Sequence, residues 1–135
     1  MKPIWIVDDD QSIRFVLEKA LLRENLPTRS FTNPREVLAA LEDSSDDDSQ
    51  GPQILVSDIR MPGGSGLDLL EKVKARLPGL PVIIMTAFSD LDSAVSAFQG
   101  GAFEYLPKPF DLPKAVELIR RAVEESQREE VTEER

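Results

Sequence analysis

Ile4-Trp5-Ile6-Val7-Asp8-Asp9-Asp10 near the N-terminus and Ile54-Leu55-Val56-Ser57-Asp58 in mid-chain are short apolar runs that end in aspartate. Such runs are strand-sized, and apolar residues on both faces mark strands of a buried parallel sheet. The segments between them read as helices. From Gln11 to about Arg23, Ile13, Val16, Leu17, Ala20 and Leu21 recur at helical spacing, with Ser12 predicted as N-cap. Pro27 ends that pattern, and Thr28 to Phe31 is a weak second strand. Asn33 caps a helix whose first residue is Pro34 and which turns Val37, Leu38 and Leu41 inward. After the turn Pro62-Gly63-Gly64-Ser65-Gly66 comes a helix with Leu67, Leu70, Val73 and Leu77 on one face. Val82-Ile83-Ile84-Met85 is the fourth strand, and a helix capped by Ser89 or Asp90 runs to about Gln99, where Gly100-Gly101 stops it. Phe103 to Leu106 is the fifth strand, and Asp111 to about Glu125 the last helix, with Val116, Ile119 and Val123 inward. Five strands alternating with five helices define a doubly wound α/β fold with a parallel sheet.

Composition narrows the chemistry. The chain has 135 residues, one domain's worth, of which 41% are hydrophobic and 30% charged. It contains neither cysteine nor histidine, which excludes disulfides, thiolate chemistry and imidazole catalysis. Acidic residues number 25 against 16 basic ones, a net charge of −9 with no Lys/Arg cluster. Such a surface disfavours direct nucleic-acid or anionic-membrane contact. The N-terminal apolar stretch is too short for a signal peptide and far below the roughly 20 residues of a membrane span. A cytoplasmic protein is expected. The acidic run from Glu42 to Ser49 lacks calcium-loop spacing and reads as a solvated loop. Residues 1–124 form the domain, and 125–135, with Val131 the one apolar residue after Glu125, read as a linker or tail.

In an open parallel sheet, ligands bind beyond the carboxyl ends of the strands, at the topological switch point. In a flavodoxin-like order, 2-1-3-4-5, strands one and three flank that point. Asp8, Asp9, Asp10 and Asp58 then meet at one edge, where like charges repel unless a cation neutralises them. Oxygen donors without histidine or cysteine fit a hard cation, Mg²⁺ above all. The alternative, that an aspartate simply caps the next helix, suits Asp10 best. Strand four brings Thr86 to the same edge, and strand five brings Lys108 between Pro107 and Pro109, the latter able to favour a cis bond. Carboxylates, a cation, a hydroxyl and an ammonium around one cavity suit phosphoryl transfer.

The strings Ile6-Val7-Asp8-Asp9-Asp10, Ser57-Asp58-Ile59-Arg60-Met61-Pro62, Met85-Thr86-Ala87 and Leu106-Pro107-Lys108-Pro109-Phe110 resemble the receiver domain of bacterial two-component response regulators. The resemblance spans Ile4 to Val123. The runs from Thr86 to Phe98 and from Gly101 to Phe110 look most like the nitrogen-regulatory, σ54-dependent activators of that family. It implies that Asp58 is the phosphoacceptor, taking a phosphoryl group from the phosphohistidine of a sensor histidine kinase. It further implies that Asp9 binds Mg²⁺ directly, with Asp8 supporting through water and the Arg60 backbone carbonyl as another ligand. Lys108 would pair with the acyl phosphate, Thr86 would hydrogen-bond it, and Tyr105 would be the aromatic switch residue. Such a domain is a regulatory phosphoacceptor, not a conventional enzyme, that takes part in its own phosphorylation and dephosphorylation. An output ATPase and DNA-binding module would follow residue 135, with self-association on phosphorylation.

One departure stands out: where many receivers carry a Gly-Met-Asp-Gly turn, this chain has Gly63-Gly64-Ser65-Gly66, which implies a looser loop beside the acceptor. Leu91, Val95 and Phe98 are spaced to serve as core or as a switch surface, with at least one of them expected in the core. Three rival readings remain. One is a stand-alone, chemotaxis-type receiver. Another is a haloacid-dehalogenase-type phosphatase using Asp8-x-Asp10, with Asp8 as nucleophile and Ser12 as hydroxyl. The last is a flavodoxin-like cofactor binder, which would need a hydroxyl- and glycine-rich loop where three aspartates stand.

Overall fold

The computed structural model describes residues 2–43, 51–61, 64–87, 90–108 and 110–133. Strands β1 (Ile4–Val7), β2 (Thr28–Phe31), β3 (Ile54–Asp58), β4 (Val82–Ala87) and β5 (Glu104–Lys108) alternate with α1 (Gln11–Arg23), α2 (Pro34–Asp43), α3 (Gly66–Arg76), α4 (Leu91–Gln99) and α5 (Leu112–Glu133). The five strands are all parallel, in the order β2-β1-β3-β4-β5. This is the doubly wound, flavodoxin-like order expected from the sequence.

Each strand divides its side chains between two cores, because alternate residues face opposite sides of a sheet. Trp5, Val7, Leu55, Val82 and Ile84 pack with Val37, Leu41, Leu70 and Val73 of α2 and α3. Ile4, Ile6, Ile54, Val56, Ile83 and Met85 pack with Leu17 and Leu21 of α1 and Ile119 of α5. Central strands covered on both faces explain their unbroken apolar runs.

The helix ends follow local chemistry, with corrections. The N-cap of α1 is Asp10, not Ser12: Asp10 has extended backbone and its carboxylate accepts from the Ser12 N–H at 2.9 Å. A carboxylate placed two residues earlier reaches the free N–H groups that a hydroxyl at Ser12 cannot. Val16, expected inward, is 40% exposed on α1, because Leu17, Ala20 and Leu21 already fill the buried stripe. Helix α1 closes on Asn25 at φ 61, a left-handed position that asparagine tolerates. Asn33 caps α2 as expected, accepting from the Glu36 N–H at 3.0 Å. Gly101, at φ +103, ends α4 with the Ala102 N–H bonded to the Ala97 carbonyl at 2.9 Å.

The last helix does not stop near Glu125 but runs to Glu133. No glycine or proline interrupts residues 124–133 and most are good helix formers. Ser126 is also anchored, accepting from Gln53 Nε2 at 2.6 Å and donating to the Val123 carbonyl at 2.7 Å. Strand β5 is shifted towards Lys108 relative to the expected Phe103–Leu106, because it pairs with β4 as far as Ala87↔Lys108. Pro107 is tolerated there because β5 is an edge strand. A short antiparallel ribbon pairs Arg60–Met61 with Gly64–Ser65, and Pro62 and Gly63 between them lie outside the described residues. Of the acidic run Glu42 to Ser49, Glu42 and Asp43 belong to the end of α2 rather than to a loop, and its remaining residues, with Ser89 as an alternative cap and Pro109, lie outside the described residues. No helix among the described residues is long and apolar enough to cross a membrane.

Candidate functional site

The carboxyl ends of the strands gather the predicted site. Val7 lies beside Ser57, and Asp58 beside Met85, so Asp8 and Asp58 leave adjacent strands at the same edge. Asp8 is fully buried and Asp58 is 8% exposed, whereas Asp9 faces solvent. Carboxylate oxygens of Asp8, Asp9 and Asp58 lie within 4.8 Å of one another. Asp10 is not in this cluster, since its carboxylate is engaged in the α1 cap.

Lys108 enters from β5. Its Nζ lies 2.8 Å from Asp8 Oδ2 and 3.3 Å from Asp58 Oδ1. Burial alone would lower the ammonium pKa, but the Asp8 hydrogen bond and the charges of Asp58 and Asp8 outweigh it and the net shift is upward. For Asp58 the balance goes the other way in sense. Burial, then the charge of Asp8, raises its carboxyl pKa against the opposing pull of Lys108 and the Ile59 N–H. The site thus holds one carboxyl that is costly to ionise, which is what an incoming cation would relieve.

The two oxygens of Asp58 are not equivalent. Oδ1 accepts from the Ile59 N–H at 2.9 Å and faces Lys108. Among the described residues nothing bonds Oδ2. Asp8, by contrast, is used up: Oδ1 accepts from the Asp10 N–H at 2.9 Å while Oδ2 holds Lys108. A buried, fully engaged Asp8 and a capping Asp10 do not fit the phosphatase reading, in which Asp8 would be the nucleophile. The loop after β1 is three aspartates, not a phosphate-cradling loop, which also disfavours a flavin-type site.

Thr86 is buried, and its hydroxyl donates to the Asp90 carbonyl at 3.5 Å, a long bond, rather than to Asp58. Tyr105 is half-buried and meets Phe98 of α4 edge-on, with ring centroids 5.7 Å apart and planes at 88°. Phe98 and Val95 are 43% and 55% exposed, so the core side of α4 is Ala94 and Ala97 instead. The Leu91 side chain lies outside the described residues. Arg60 follows in the ribbon, with its backbone paired to Ser65.

Two contributors escape sequence reasoning. Gly66 opens α3 so close to β3 that an added Cβ would lie 2.2 Å from the Asp58 carbonyl oxygen, and its N–H donates to the Ile59 carbonyl at 2.7 Å. A glycine ending a turn just before a helix was the available signal. Arg14 of α1 donates from Nη1 to the Asp8 carbonyl at 2.5 Å. Counting back from Arg14 in the sequence favours Asp8 and Asp9 over Asp10 as the metal-binding pair, but does not reveal this bond.

An acidic pair and a lysine at the carboxyl edge of a five-stranded parallel sheet define a phosphoacceptor class of regulatory domain, and the chain belongs to the response regulator receiver domain family, whose model matches residues 4–120. It is 57% identical over 127 residues, 94% of this chain, to the DNA-binding transcriptional regulator NtrC of Salmonella typhimurium, covering 26% of that protein. The chain thus spans about a quarter of the length of the curated relatives it matches. The solution structure of the apo receiver domain of nitrogen regulatory protein C superposes with a TM-score of 0.79 at 57% identity, over 93% of this chain and 96% of that one. A structure described as a transiently phosphorylated "switch" in bacterial signal transduction gives 0.75 at 56% identity, over 94% and 99%. This chain is a receiver domain of the NtrC type, with a regulatory rather than a conventional enzymatic role.

Proposed function

We propose that Asp58 Oδ2 accepts a phosphoryl group from the phosphohistidine of a sensor histidine kinase. The Oδ2–P bond forms as the P–N bond to the donor imidazole breaks, and the imidazole leaves with the bonding pair and takes up a proton. The observation that carries this reading is the asymmetry of the carboxylates: Asp8 is buried and engaged at both oxygens, while Asp58 keeps one oxygen free. Asp8, Asp9 and Asp58, with the Arg60 backbone carbonyl, would hold Mg²⁺. Their convergent, all-oxygen donor set fits that ion, in a chain with no histidine or cysteine to favour a softer one. When bound, the ion neutralises charge on the transferring phosphoryl oxygens.

The chain's own residues do the rest. The Ile59 N–H and Lys108 orient Oδ1, which aims Oδ2 outward. The acyl phosphate adds about two negative charges, and Lys108, already between the two aspartates, moves onto it. Thr86 exchanges its long bond to Asp90 for a phosphate oxygen, which frees Tyr105 and α4 to repack. Domain 1–124 is then the cytoplasmic switch of a longer regulator. Residues 125–135, of which 125–133 continue α5, lead towards an ATPase and DNA-binding output serving σ54-dependent, nitrogen-related transcription, with self-association on phosphorylation. The receiver itself makes no direct nucleic-acid contact, in keeping with its charge of −9. The test is labelling with acetyl [³²P]phosphate followed by phosphopeptide mapping. Label on the Asp58 peptide, absent from Asp58→Asn, is expected; undiminished label in that variant, or label on Asp8, overturns the assignment.

A further inference from the structure

A second cation besides Lys108 reaches the acidic cluster, from α1. Arg14 makes the first backbone bond of that helix, its N–H donating to the Asp10 carbonyl at 3.2 Å. Its half-buried side chain folds back over the β1–α1 loop, and Nη1 donates to the Asp8 carbonyl at 2.5 Å. Asp8 is thereby fixed at every polar atom. Its N–H donates to the Phe31 carbonyl at 3.2 Å, Oδ1 accepts from Asp10, Oδ2 holds Lys108, and its carbonyl is held by Arg14.

Asp9 is the opposite case. It is the exposed member of the cluster, and among the described residues no hydrogen bond or ion pair orients its carboxylate. Its direction is set by its backbone. Because the peptide unit is planar, holding the Asp8 carbonyl also holds the Asp9 N–H and the start of the Asp9 side chain. We infer that Arg14 is a positioning residue for the cation site, acting through the Asp8–Asp9 peptide to hold Asp9 where it can ligate. This rests on the reading of Asp8, Asp9 and Asp58 as a cation site.

The inference has a sign that simple electrostatics would reverse. A guanidinium beside the cluster repels a divalent cation, so removing it should strengthen binding if charge were its only effect. The Glu36 carboxylate at the start of α2 is a minor electrostatic partner of Arg14 and offsets little of that repulsion. The Glu36 carboxyl is held below its usual pKa by Thr32 chiefly, with Arg14 contributing. If positioning dominates, loss of Arg14 weakens binding instead.

Mn²⁺ titration followed by electron paramagnetic resonance of the free ion, with Mg²⁺ competition, distinguishes the two. Arg14→Ala, and Arg14→Gln as a second variant that favours helix, should each bind roughly tenfold more weakly, the lower end of what outer partners of metal ligands contribute. Arg14→Lys, which keeps a donor and the charge, should recover most of the loss. In an Asp9→Asn background, Arg14→Ala should add less than roughly a twofold further effect if it acts through Asp9. Urea midpoints establish that each variant is folded. Unchanged or tighter binding without Arg14, or an undiminished loss in the Asp9→Asn background, overturns the inference. No Mn²⁺ binding by the unaltered chain overturns the cation-site reading itself, and this inference with it.

Discussion

Lys108→Met removes the one ammonium that touches both buried aspartates while nearly keeping the side chain's length. Asp8, with no exposed surface, then retains a single N–H donor for its two oxygens, and Asp58 loses its only neighbouring cation among the described residues. Removing one partner of a buried ion pair costs about 3–5 kcal/mol, because the other charge is left without compensation. The Lys108 side chain keeps 24% exposure, so water can enter the gap and the lower end, about 3 kcal/mol, applies. That is a large share of the stability of a domain this size. It corresponds to a fall in melting temperature of roughly 10 °C. The assay is urea denaturation in EDTA and again in millimolar Mg²⁺. Most of the loss should be recovered with Mg²⁺, because an ion held among Asp8, Asp9 and Asp58 restores the missing positive charge and binds only the folded state. A Lys108→Met protein as stable as the unaltered one in EDTA would refute the buried-pair reasoning. A loss that Mg²⁺ leaves untouched would refute the cation site.

Asp58 has a raised pKa when folded, so the native state holds a proton that the unfolded chain has already released. Its contribution to metal-free stability therefore falls as pH rises from the ordinary carboxylate range through the raised folded value. Asp58→Asn should be the more stable protein by a margin that widens with pH in EDTA, read from urea midpoints; a margin independent of pH would contradict it. Asp10→Ala should cost about 1 kcal/mol through loss of the α1 cap, leave Mn²⁺ affinity unchanged, and be largely restored by Asn. Weakening of Mn²⁺ binding by roughly tenfold in Asp10→Asn would instead make Asp10 a ligand.

Strand ends and helix faces were legible because they are local. An apolar run closed by Asp8 or Asp58 records burial on both sheet faces, and the period of Leu70 and Val73 records one buried helix face. Asn33 announces the start of α2 by its own side-chain chemistry, as Gly101 announces the end of α4 by its backbone freedom. Where two local signals compete, consecutive residues alone do not choose between them. Asp10 and Ser12 are both good caps, and only the turn of the backbone brings the Asp10 carboxylate onto the Ser12 N–H. The polar stretch after Glu125 lacks an apolar stripe, so it read as a tail, yet the buried Gln53–Ser126 bond holds the helix beyond that point.

By itself, then, the sequence determined the α/β alternation and placed Asp8, Asp9, Asp58, Thr86 and Lys108 at strand ends, because periodicity and strand-end chemistry are written in consecutive residues. Which of those residues does what was decided by tertiary structure. Lys108 lies 100 residues from Asp8 in the chain, and only the sheet brings them to 2.8 Å. That contact occupies Asp8 and leaves Asp58 with a free oxygen. The grip of Arg14 on the Asp8 carbonyl and the close approach of Gly66 to Asp58 likewise exist only once helices are packed against the sheet, since no pattern of residue types encodes where a backbone carbonyl will sit.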